Sequence, residues 1–541
     1  MKKFYLQFFI VTILIPSFLS YPQQKKIKNL NLDEKSKNQL VTQKADRILN
    51  PPDLETLVLG GDGEDGGYNI HVTSDGGYIV AGCITTQGRS RDMVVYKLRS
   101  DLSLDSAFGE DGKWMAGSTG VDQAIDAIEV MQQNGEPDGY LVVGYTTVGD
   151  GDFVSCGYHG KNDIVVCRLT TTGQYKSSFG HKGIRLYGGS EDDMLIFHDS
   201  NYSEPGDHLV QTSGGFVISG ITRSNDGDLA GISTIGWKEA QDVMIFKIDE
   251  HGDFVNDFGD RGILRIGNKP CPNMGKRHPH DFAWSLKADP ERGFVASGFH
   301  FGMGLPIDGT MVLSPGSNTN IGDNTSPSVQ DHKMDGWMFR FDEKGRLRKK
   351  WGDHGFVYLG GSRQEKLYDI TPTSDGGYII CGRTSSSDLE FSRPDTVKEF
   401  DVVLVKVGKN GKLDHTFGKD GVCFLGGRGD QGSRVLTYND DVLCLATAVR
   451  PSTQFAATIP VNYYHQILLV RLTPNGEPRR YWSLGKEGQD WPVGMTIDHE
   501  QRVVIVGYRD VTKVAEESGP KKSDGNRGRD LLVMRFNPTL N

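Results

Sequence analysis

The sequence lacks the short motifs that mark several enzyme classes. Its 541 residues contain no P-loop, no H-E-x-x-H, no G-x-S-x-G and no G-x-G-x-x-G that leads from a strand into a helix. Catalytic residues gathered from distant parts of a chain leave no such motif. An enzyme is therefore not excluded, but the sequence offers nothing in favour of one.

Closely paired cysteines are also missing. The seven cysteines include no C-x-x-C pair, and an odd number leaves at least one thiol without a disulfide partner inside the chain. Cys83, Cys381 and Cys444 lie in apolar runs typical of strands. This setting predicts buried small side chains rather than redox groups.

Acidic residues outnumber basic residues beyond the N-terminal region. The chain has 60 basic and 70 acidic residues, a formal net charge of -10, although its first fifty residues are rich in lysine. A surface that binds nucleic acid or an anionic membrane needs clustered positive charge. The composition therefore argues against both as partners and favours cations.

Long apolar runs are absent except near the N-terminus. Lys2 and Lys3 precede a mostly apolar run from Phe4 to Leu19, shorter than the ~20 residues that a membrane-spanning helix needs. This arrangement predicts a secretory signal peptide over residues 1–20, with an uncleaved anchor as the alternative. A polar linker over 21–50 and a folded region over 51–541 follow. We therefore expect a secreted protein, periplasmic or extracellular, with no membrane span in the mature chain.

What the sequence does contain is a repeat. The stretch TSDGGYIVAG at 73–82 returns as TSDGGYIICG at 373–382, and glycine, at 69 residues, is unusually frequent. Five looser copies bring the number to seven, and they begin at Asp138, Gly214, Arg292, Asp440 and Gln501. Such self-similarity is typical of solenoids and propellers.

Each copy belongs to a unit of four short strands. A second apolar run follows every copy, and five of these runs lead into a Phe/Trp-Gly-x-x-Gly turn, at Phe108, Phe179, Phe258, Trp351 and Phe417. A short strand ending in glycine comes next, and one more alternating segment precedes the following copy. The apolar runs predict sheets that are covered on both faces.

The two ends of the repeat array favour a ring over a line. The seventh unit stops after its third strand, whereas Glu55 to Gly61 reads as a fourth strand without a unit of its own. Radial packing leaves only short, protected edges. The sequence therefore predicts an all-β fold, a monomeric seven-bladed β-propeller with four-stranded blades, in which the N-terminal strand completes the last blade.

The repeat units resemble those of two related groups of bacterial secreted repeat proteins. Residues 73–82 and 224–252 are similar to the units of one group, and LDSAFGEDG at Leu104 and LDHTFGKDG at Leu413 resemble the LD-x-x-FG-x-x-G motif of delta-sixty-like repeats. The resemblance extends from Glu55 to Asn541. It implies a secreted β-propeller and no particular activity, because propellers carry unrelated functions.

The two faces of such a propeller are expected to differ. The turns between first and second and between third and fourth strands are nearly constant in sequence, whereas the connections between second and third strands vary widely. Variable loops on a regular scaffold are the usual place for binding. We expect a binding module for a protein or carbohydrate ligand. The alternatives are a hydrolase or lyase acting on carbohydrate, with carboxylates from several blades at the channel mouth, and a scaffold without a small ligand.

Two variable connections contain closely spaced carboxylates that are candidate calcium ligands. Asp150 and Asp152 flank Gly151, and Asp226 and Asp228 flank Gly227. Calcium takes about 6 to 8 oxygen ligands, and neither segment has the EF-hand spacing. Solvated turns are the alternative interpretation.

The fourth unit offers candidate ligands for a transition metal. The segment CPNMGKRHPHD places Cys271, His278, His280 and Asp281 close together in sequence. Thiolate, imidazole and carboxylate are the groups that such metals prefer. Exposed loop histidines are the alternative.

An acidic residue also precedes the first strand of every unit. The set is Asp65, Asp122, Asp192, Asp281, Glu365, Asp430 and Asp490. These residues could form an acidic rim for cations or could cap backbone N–H groups between blades. We favour capping, because a residue repeated with the fold most simply serves the fold.

Overall fold

The computed structural model describes most of the chain after the predicted linker. The described residues lie in one compact unit, Arg47–Asn541. The described residues are 48–49, 51–60, 63–86, 90–195, 206–236, 241–267, 280–301, 304–307, 310–313, 334–391, 400–425, 431–448, 466–484, 489–510 and 528–539.

The described chain is an all-β, seven-bladed propeller, which confirms the predicted fold. Blade 1 contains Gly66–Val72, Tyr78–Thr85, Arg91–Leu98 and Lys113–Ala116, and blade 2 contains Asp122–Met131, Pro137–Thr146, Asp163–Leu169 and Ile184–Tyr187. Blade 3 contains Leu209–Thr212, Gly215–Thr222, Asp242–Ile248 and Ile263–Gly267, and blade 4 contains Ser285–Ala288, Phe294–Phe301, Met334–Phe341 and Phe356–Leu359. Blade 5 contains Glu365–Pro372, Tyr378–Thr384, Asp401–Val407 and Val422–Phe424, and blade 6 contains Gln431–Tyr438, Asp441–Ala448, Gln466–Leu472 and Pro478–Ser483. Blade 7 contains Gln489–Ile497, Val503–Asp510, Arg529–Phe536 and Glu55–Leu59.

A few short elements extend this plan. Ile48–Leu49, at the end of the predicted linker, pairs in parallel with the outer strand of blade 6, and Thr234–Gly236 does the same in blade 3. Asp193–Met194 adds to the second strand of blade 3, and Gly304–Ile307 forms a hairpin with Thr310–Leu313. Short 3-10 turns span Gly151–Phe153, Gly227–Leu229 and Leu389–Phe391. Within the described residues, no helix is long and apolar enough to cross a lipid bilayer.

The ring closes as the split repeat predicts. Glu55–Leu59 pairs antiparallel with Arg529–Phe536 and so supplies the fourth strand of blade 7. The Glu55 carboxylate also accepts a hydrogen bond from the Arg535 guanidinium. The two ends of the repeat array are therefore joined by a backbone ladder and an ion pair.

Apolar residues fill the space between neighbouring blades. The second and third strands are almost completely buried along their length, as the unbroken apolar runs predict. Each fully buried aliphatic side chain stabilises the fold by about 1.5–3 kcal/mol. Six cysteines are buried free thiols, Cys83, Cys381 and Cys444 among them, which confirms their predicted packing role. Cys271 lies outside the described residues.

The repeated TSDGG segment is a hairpin that is tied to the third strand. Asp75 Oδ1 accepts hydrogen bonds from Thr73 Oγ1 and Gly77 N, and its Oδ2 accepts one from Lys97 Nζ at 2.8 Å. In blade 5, Asp375 makes the corresponding bonds, and Lys406 takes the place of Lys97. The aspartate of this segment is therefore structural.

The Phe/Trp-Gly-x-x-Gly turns latch each blade to the next. The aromatic side chains are buried, and the glycine that follows each one donates its N–H to a carbonyl in the next blade. Gly109 N donates to Thr172 O at 2.9 Å, and Gly259 N donates to Lys344 O at 2.8 Å. The second repeated motif of the chain therefore forms a contact between neighbouring blades.

Candidate functional site

The four predicted calcium ligands lie in two 3-10 turns or directly before them. Their carboxylates accept hydrogen bonds from a neighbouring connection. Asp150 accepts hydrogen bonds from Thr119 N and Oγ1, and Asp226 accepts one from Ser190 N. Thr119 and Ser190 belong to the connections that lead into blades 2 and 3. These carboxylates therefore already bind protein donors on the variable face.

Asp152 and Asp228, two residues further along the chain, also accept hydrogen bonds from backbone N–H groups. Asp152 Oδ2 accepts from Gly117 N at 2.9 Å, and Asp228 Oδ2 accepts from Gly188 N at 3.2 Å. The last residues of the two turns, Phe153 and Leu229, are fully buried. Blade 5 repeats the arrangement with Asp388 and Phe391, so it is part of the scaffold.

The predicted transition-metal ligands of blade 4 are only partly described. Cys271 and His278 lie outside the described residues. His280 forms a backbone bridge with Gln241, and Asp281 forms one with His300. The His300 side chain is fully buried among aromatic rings, and burial lowers its pKa to about 3, so it is neutral.

Several of the recurrent acidic residues bind backbone N–H groups and hydroxyls near the blade junctions. Asp122 accepts from Ser118 N, and Glu365 accepts from Gly361 N. In blade 3 this position belongs to Asp193, which accepts from Gly189 N, and not to Asp192 as the sequence alignment of the repeats suggested. Asp430 lies outside the described residues. The bonds agree with the capping interpretation.

A bulge in the first strands turns a different set of side chains toward the axis. First strands of neighbouring blades contact one another, so they line the central channel. In blades 1, 2, 5, 6 and 7 the pairing of the first strand shifts by one residue, and the residues that follow this β-bulge are Asn69, Asp126, Asp369, Arg434 and Gly494. Bulges commonly re-aim side chains next to functional sites.

Polar side chains from six blades meet in this channel. We call the group the channel cluster; it consists of Asn69, His71, Asp126, Asp207, Ser285, Lys287, Asp369 and Arg434. Sequence reasoning missed all of them. A signal was available, because Asn69, Asp126, Asp369, Arg434 and Gly494 each lie four residues after the recurrent acidic residue of their unit.

Asp126 and Asp207 are the centre of the channel cluster. Asn69 Nδ2 bridges them, at 2.8 Å from Asp126 Oδ1 and 3.0 Å from Asp207 Oδ1. His71 Nε2 lies 2.8 Å from Asp126 Oδ1, and Arg434 Nη1 lies 2.8 Å from Asp207 Oδ1. Lys287 pairs with Asp207 Oδ2. Three blades therefore contribute donors to two adjacent carboxylates from two others.

Asp369 forms a second centre within the cluster. Its Oδ1 accepts from Ser285 Oγ at 2.7 Å, and its Oδ2 accepts from Val435 N at 3.0 Å. Arg434 and Lys287 lie 3.7 and 3.9 Å from the same carboxylate. The two cations therefore connect Asp369 to Asp207.

Part of the channel cluster remains open to solvent. The side chains of His71, Asp207 and Lys287 are 25 %, 18 % and 17 % exposed, whereas those of Asp126, Asp369 and Arg434 are buried. His71 and Lys287 each lie two residues before the hairpin of their blade, Thr73–Gly77 and Asp289–Gly293. The accessible side of the cluster is thus nearer to the constant hairpins than to the variable connections.

The electrostatics of the channel cluster follow from this pairing. Burial alone would disfavour the charged form of His71, but Asp126 and Asp207 raise its pKa above the ordinary value. Burial opposes ionisation of Asp207 as well, and the nearby Lys287 and Arg434 nevertheless hold its pKa well below the usual range. His208, buried beside the cluster, has a pKa lowered by burial to about 4 and is neutral.

One group of ligand-type side chains within the described residues brings three donor atoms within 4.8 Å of one another, namely His71, Asp126 and Asp207. A metal would need their lone pairs. Asp126 Oδ1 already accepts from Asn69, His71 and Ala127 N, and Asp126 Oδ2 accepts from His208 N. Asp207 is engaged by Asn69, Arg434 and Lys287. The carboxylates are therefore committed to protein donors, and the group fits a charge network better than a metal.

Converging carboxylates from several blades were the feature expected of a carbohydrate-cleaving enzyme. Asp126, Asp207 and Asp369 do converge from three blades. A general acid needs a carboxyl group that keeps its proton near the working pH. Asp207 stays ionised because Lys287 and Arg434 lower its pKa. Asp207 therefore does not suit the role of a general acid.

Comparisons with known proteins find only weak structural similarity. No family model and no curated protein match the sequence. Among solved structures, a Dyadobacter fermentans protein of unknown function is 10% identical with a TM-score of 0.34, covering 90% of this chain and 100% of that chain. A post-proline cleaving enzyme from Rickettsia typhi is 9% identical with a TM-score of 0.35, covering 87% of this chain and 51% of the enzyme. A mutant Trypanosoma rangeli sialidase with trans-sialidase activity is 8% identical with a TM-score of 0.32, covering 90% and 60%. At these values the similarity carries no functional argument.

Proposed function

We propose that this chain is an exported binding module that takes a protein or carbohydrate ligand on the face of its variable connections. The observation that supports this proposal is the contrast between the two faces. On one face the turns close with the same backbone hydrogen bonds, as in Thr73–Gly77, Asp289–Gly293 and Thr373–Gly377. Selection for a ligand acts on the face where the blades differ.

The variable connections differ in extent while their bases are alike. They run from Thr85 to Arg91 in blade 1, but from Phe301 to Met334 in blade 4. In blades 2, 3 and 5 a capping carboxylate and a buried apolar side chain fix the base of the connection. Such anchors reduce the entropy cost of ordering a binding loop.

Export is part of the proposal and rests on the N-terminal sequence. Lys2 and Lys3, followed by the apolar run to Leu19, direct the chain through a secretion pathway. N-terminal sequencing of the protein recovered from the periplasm or the medium tests this step. A protein that stays in the cytoplasm with its first residues intact would contradict it.

The binding face is tested by shortening connections without touching their anchors. One variant replaces residues 302–333 of blade 4 with residues 86–90 of blade 1, and another replaces residues 392–399 of blade 5 with Gly-Ser. The control replaces the hairpin 289–293 on the opposite face with TSDGG. Binding is measured on glycan and protein arrays, alongside the melting temperature of each variant.

We expect at least one connection variant to lose the ligand that the intact protein binds, while the hairpin control keeps it. Equal binding by the two connection variants and the intact protein would count against this face. Loss of binding by the hairpin control alone would place the ligand on the other side of the ring.

A further inference from the structure

The charges of the channel cluster balance only when His71 carries a proton. Asp126, Asp207 and Asp369 supply three negative charges, and Lys287 and Arg434 supply two positive charges. The neighbouring His208 is buried and neutral. His71 is therefore the remaining group of the cluster that can cancel the last negative charge, and uncompensated charge is costly in a buried site.

His71 is also placed where its charge holds several blades together. It belongs to blade 1, and its Nε2 lies 2.8 Å from the buried carboxylate of Asp126 in blade 2. Asp207, from the segment that leads into blade 3, and Arg434, from blade 6, face it across the axis. Arg434 reaches blade 1 as well, through a hydrogen bond from Nη2 to Asn69 Oδ1 at 2.5 Å.

We propose that the channel cluster is a proton-sensitive closure of the ring, in which protonated His71 completes the ionic contacts at the axis and deprotonation loosens them. Solvent reaches His71, so proton exchange does not require unfolding. Loss of the proton leaves a net charge of one negative unit next to Asp126 and Asp207. Blades 1, 2 and 3 then lose part of the attraction that joins them at the channel.

The sign of the pH dependence follows from the direction of the shift. The folded state binds the His71 proton more tightly than the unfolded chain does, because Asp126 and Asp207 raise the pKa of His71. The stabilisation is therefore complete below about pH 6.5, the unfolded value, and is lost as the pH rises through the higher folded value.

The test compares the full-length mature protein with His71→Gln and with a control, His251→Gln, in which an exposed histidine of blade 3 is changed. Melting temperatures are measured from pH 5.5 to 9. We expect the melting temperature of the intact protein and of the control to fall with rising pH above 6.5. His71→Gln should melt lower at pH 6 and lose this slope. Equal slopes in all three proteins would overturn the proposal.

A second measurement keeps the proposal testable if His71→Gln does not fold. Histidine ring signals of the isotope-labelled intact protein are followed by NMR between pH 5 and 9, and Asp126→Asn identifies the signal that depends on the cluster. We expect one ring signal to titrate with a midpoint above pH 6.5. This midpoint should fall to a lower pH in Asp126→Asn. A His71 signal that titrates at or below pH 6.5 would overturn the proposal.

Discussion

Lys97 Nζ donates a hydrogen bond to Asp75 Oδ2 across 2.8 Å and so ties the third strand of blade 1 to its first hairpin. The Lys97 side chain is almost completely buried, whereas that of Asp75 is about half exposed. The pair explains why the hairpin aspartate recurs together with a basic residue in the third strand. In blade 5 the pair is Lys406 and Asp375.

Removing Asp75 should cost more stability than removing Lys97. Asp75→Ala leaves a buried ammonium group without its carboxylate, which we expect to lower the free energy of unfolding by about 1–3 kcal/mol. Lys97→Met removes the buried charge itself and should cost less. Urea denaturation of the two single variants and the double variant measures the coupling. A double variant less stable than Asp75→Ala would contradict the pairing.

The inter-blade latch can be tested with two glycines that share a positive φ. Gly109 has φ +57, and an added Cβ would lie 2.1 Å from Lys113 O, whereas Gly135 has φ +85 with nothing within 4 Å. Gly135→Ala should lower the free energy of unfolding by only ~1 kcal/mol, the cost of placing alanine in the left-handed backbone region. Gly109→Ala should lose clearly more, because the turn must move and its bond to Thr172 breaks. Similar melting temperatures for both variants would argue against the latch.

A buried carboxylate gives the fold a pH dependence near neutrality. Burial raises the pKa of Asp163 to about 7. The folded state thus binds its proton more tightly, so this contribution is complete below about pH 4 and is lost as the pH rises toward 7. Asp163→Asn should flatten the fall in stability between pH 4 and 7, by up to ~1.4 kcal/mol per pH unit. Hydrogen bonding by Ser103 lowers the pKa of exposed Asp101, so Asp101→Asn should leave this fall unchanged.

The capping carboxylates of the variable face should act without calcium. Asp226 accepts a hydrogen bond from Ser190 N, and we expect Asp226→Ala to lower the melting temperature slightly because this bond is lost. Addition of Ca²⁺ or of a chelator should leave both the intact protein and the variant unchanged. A calcium-dependent rise in melting temperature that Asp226→Ala removes would restore the candidate calcium site.

The fold was predictable because its determinants are repeated along the chain. The hairpin of Asp75 and the latch of Phe108 recur from blade to blade, and each copy strengthens the interpretation of the others. The unpaired segment at Glu55 was sufficient to predict closure of the ring. The placement of Asp193 rather than Asp192 could not be predicted, because neighbouring aspartates look alike until the backbone bonds around them are known.

The repetition marks positions of the channel cluster but could not predict its chemistry, because the residue types at these positions differ between blades. The position of Asn69 is occupied by an aspartate in blades 2 and 5 and by Arg434 in blade 6, and the position of His71 is occupied by Lys287 in blade 4. Only closure of the ring brings them within hydrogen-bond distance. The β-bulge that aims four of the cluster residues at the axis also leaves no distinct residue pattern.

Ring closure through Glu55–Leu59 also has a consequence for the order of events during folding. This strand precedes the seven blades in the sequence, whereas its partner Arg529–Phe536 belongs to the seventh, and the ion pair between Glu55 and Arg535 spans 480 positions. Contacts so far apart in sequence form slowly. Blade 7 therefore lacks its fourth strand until the two ends of the repeat array meet, and the ring can become cooperative only after that step.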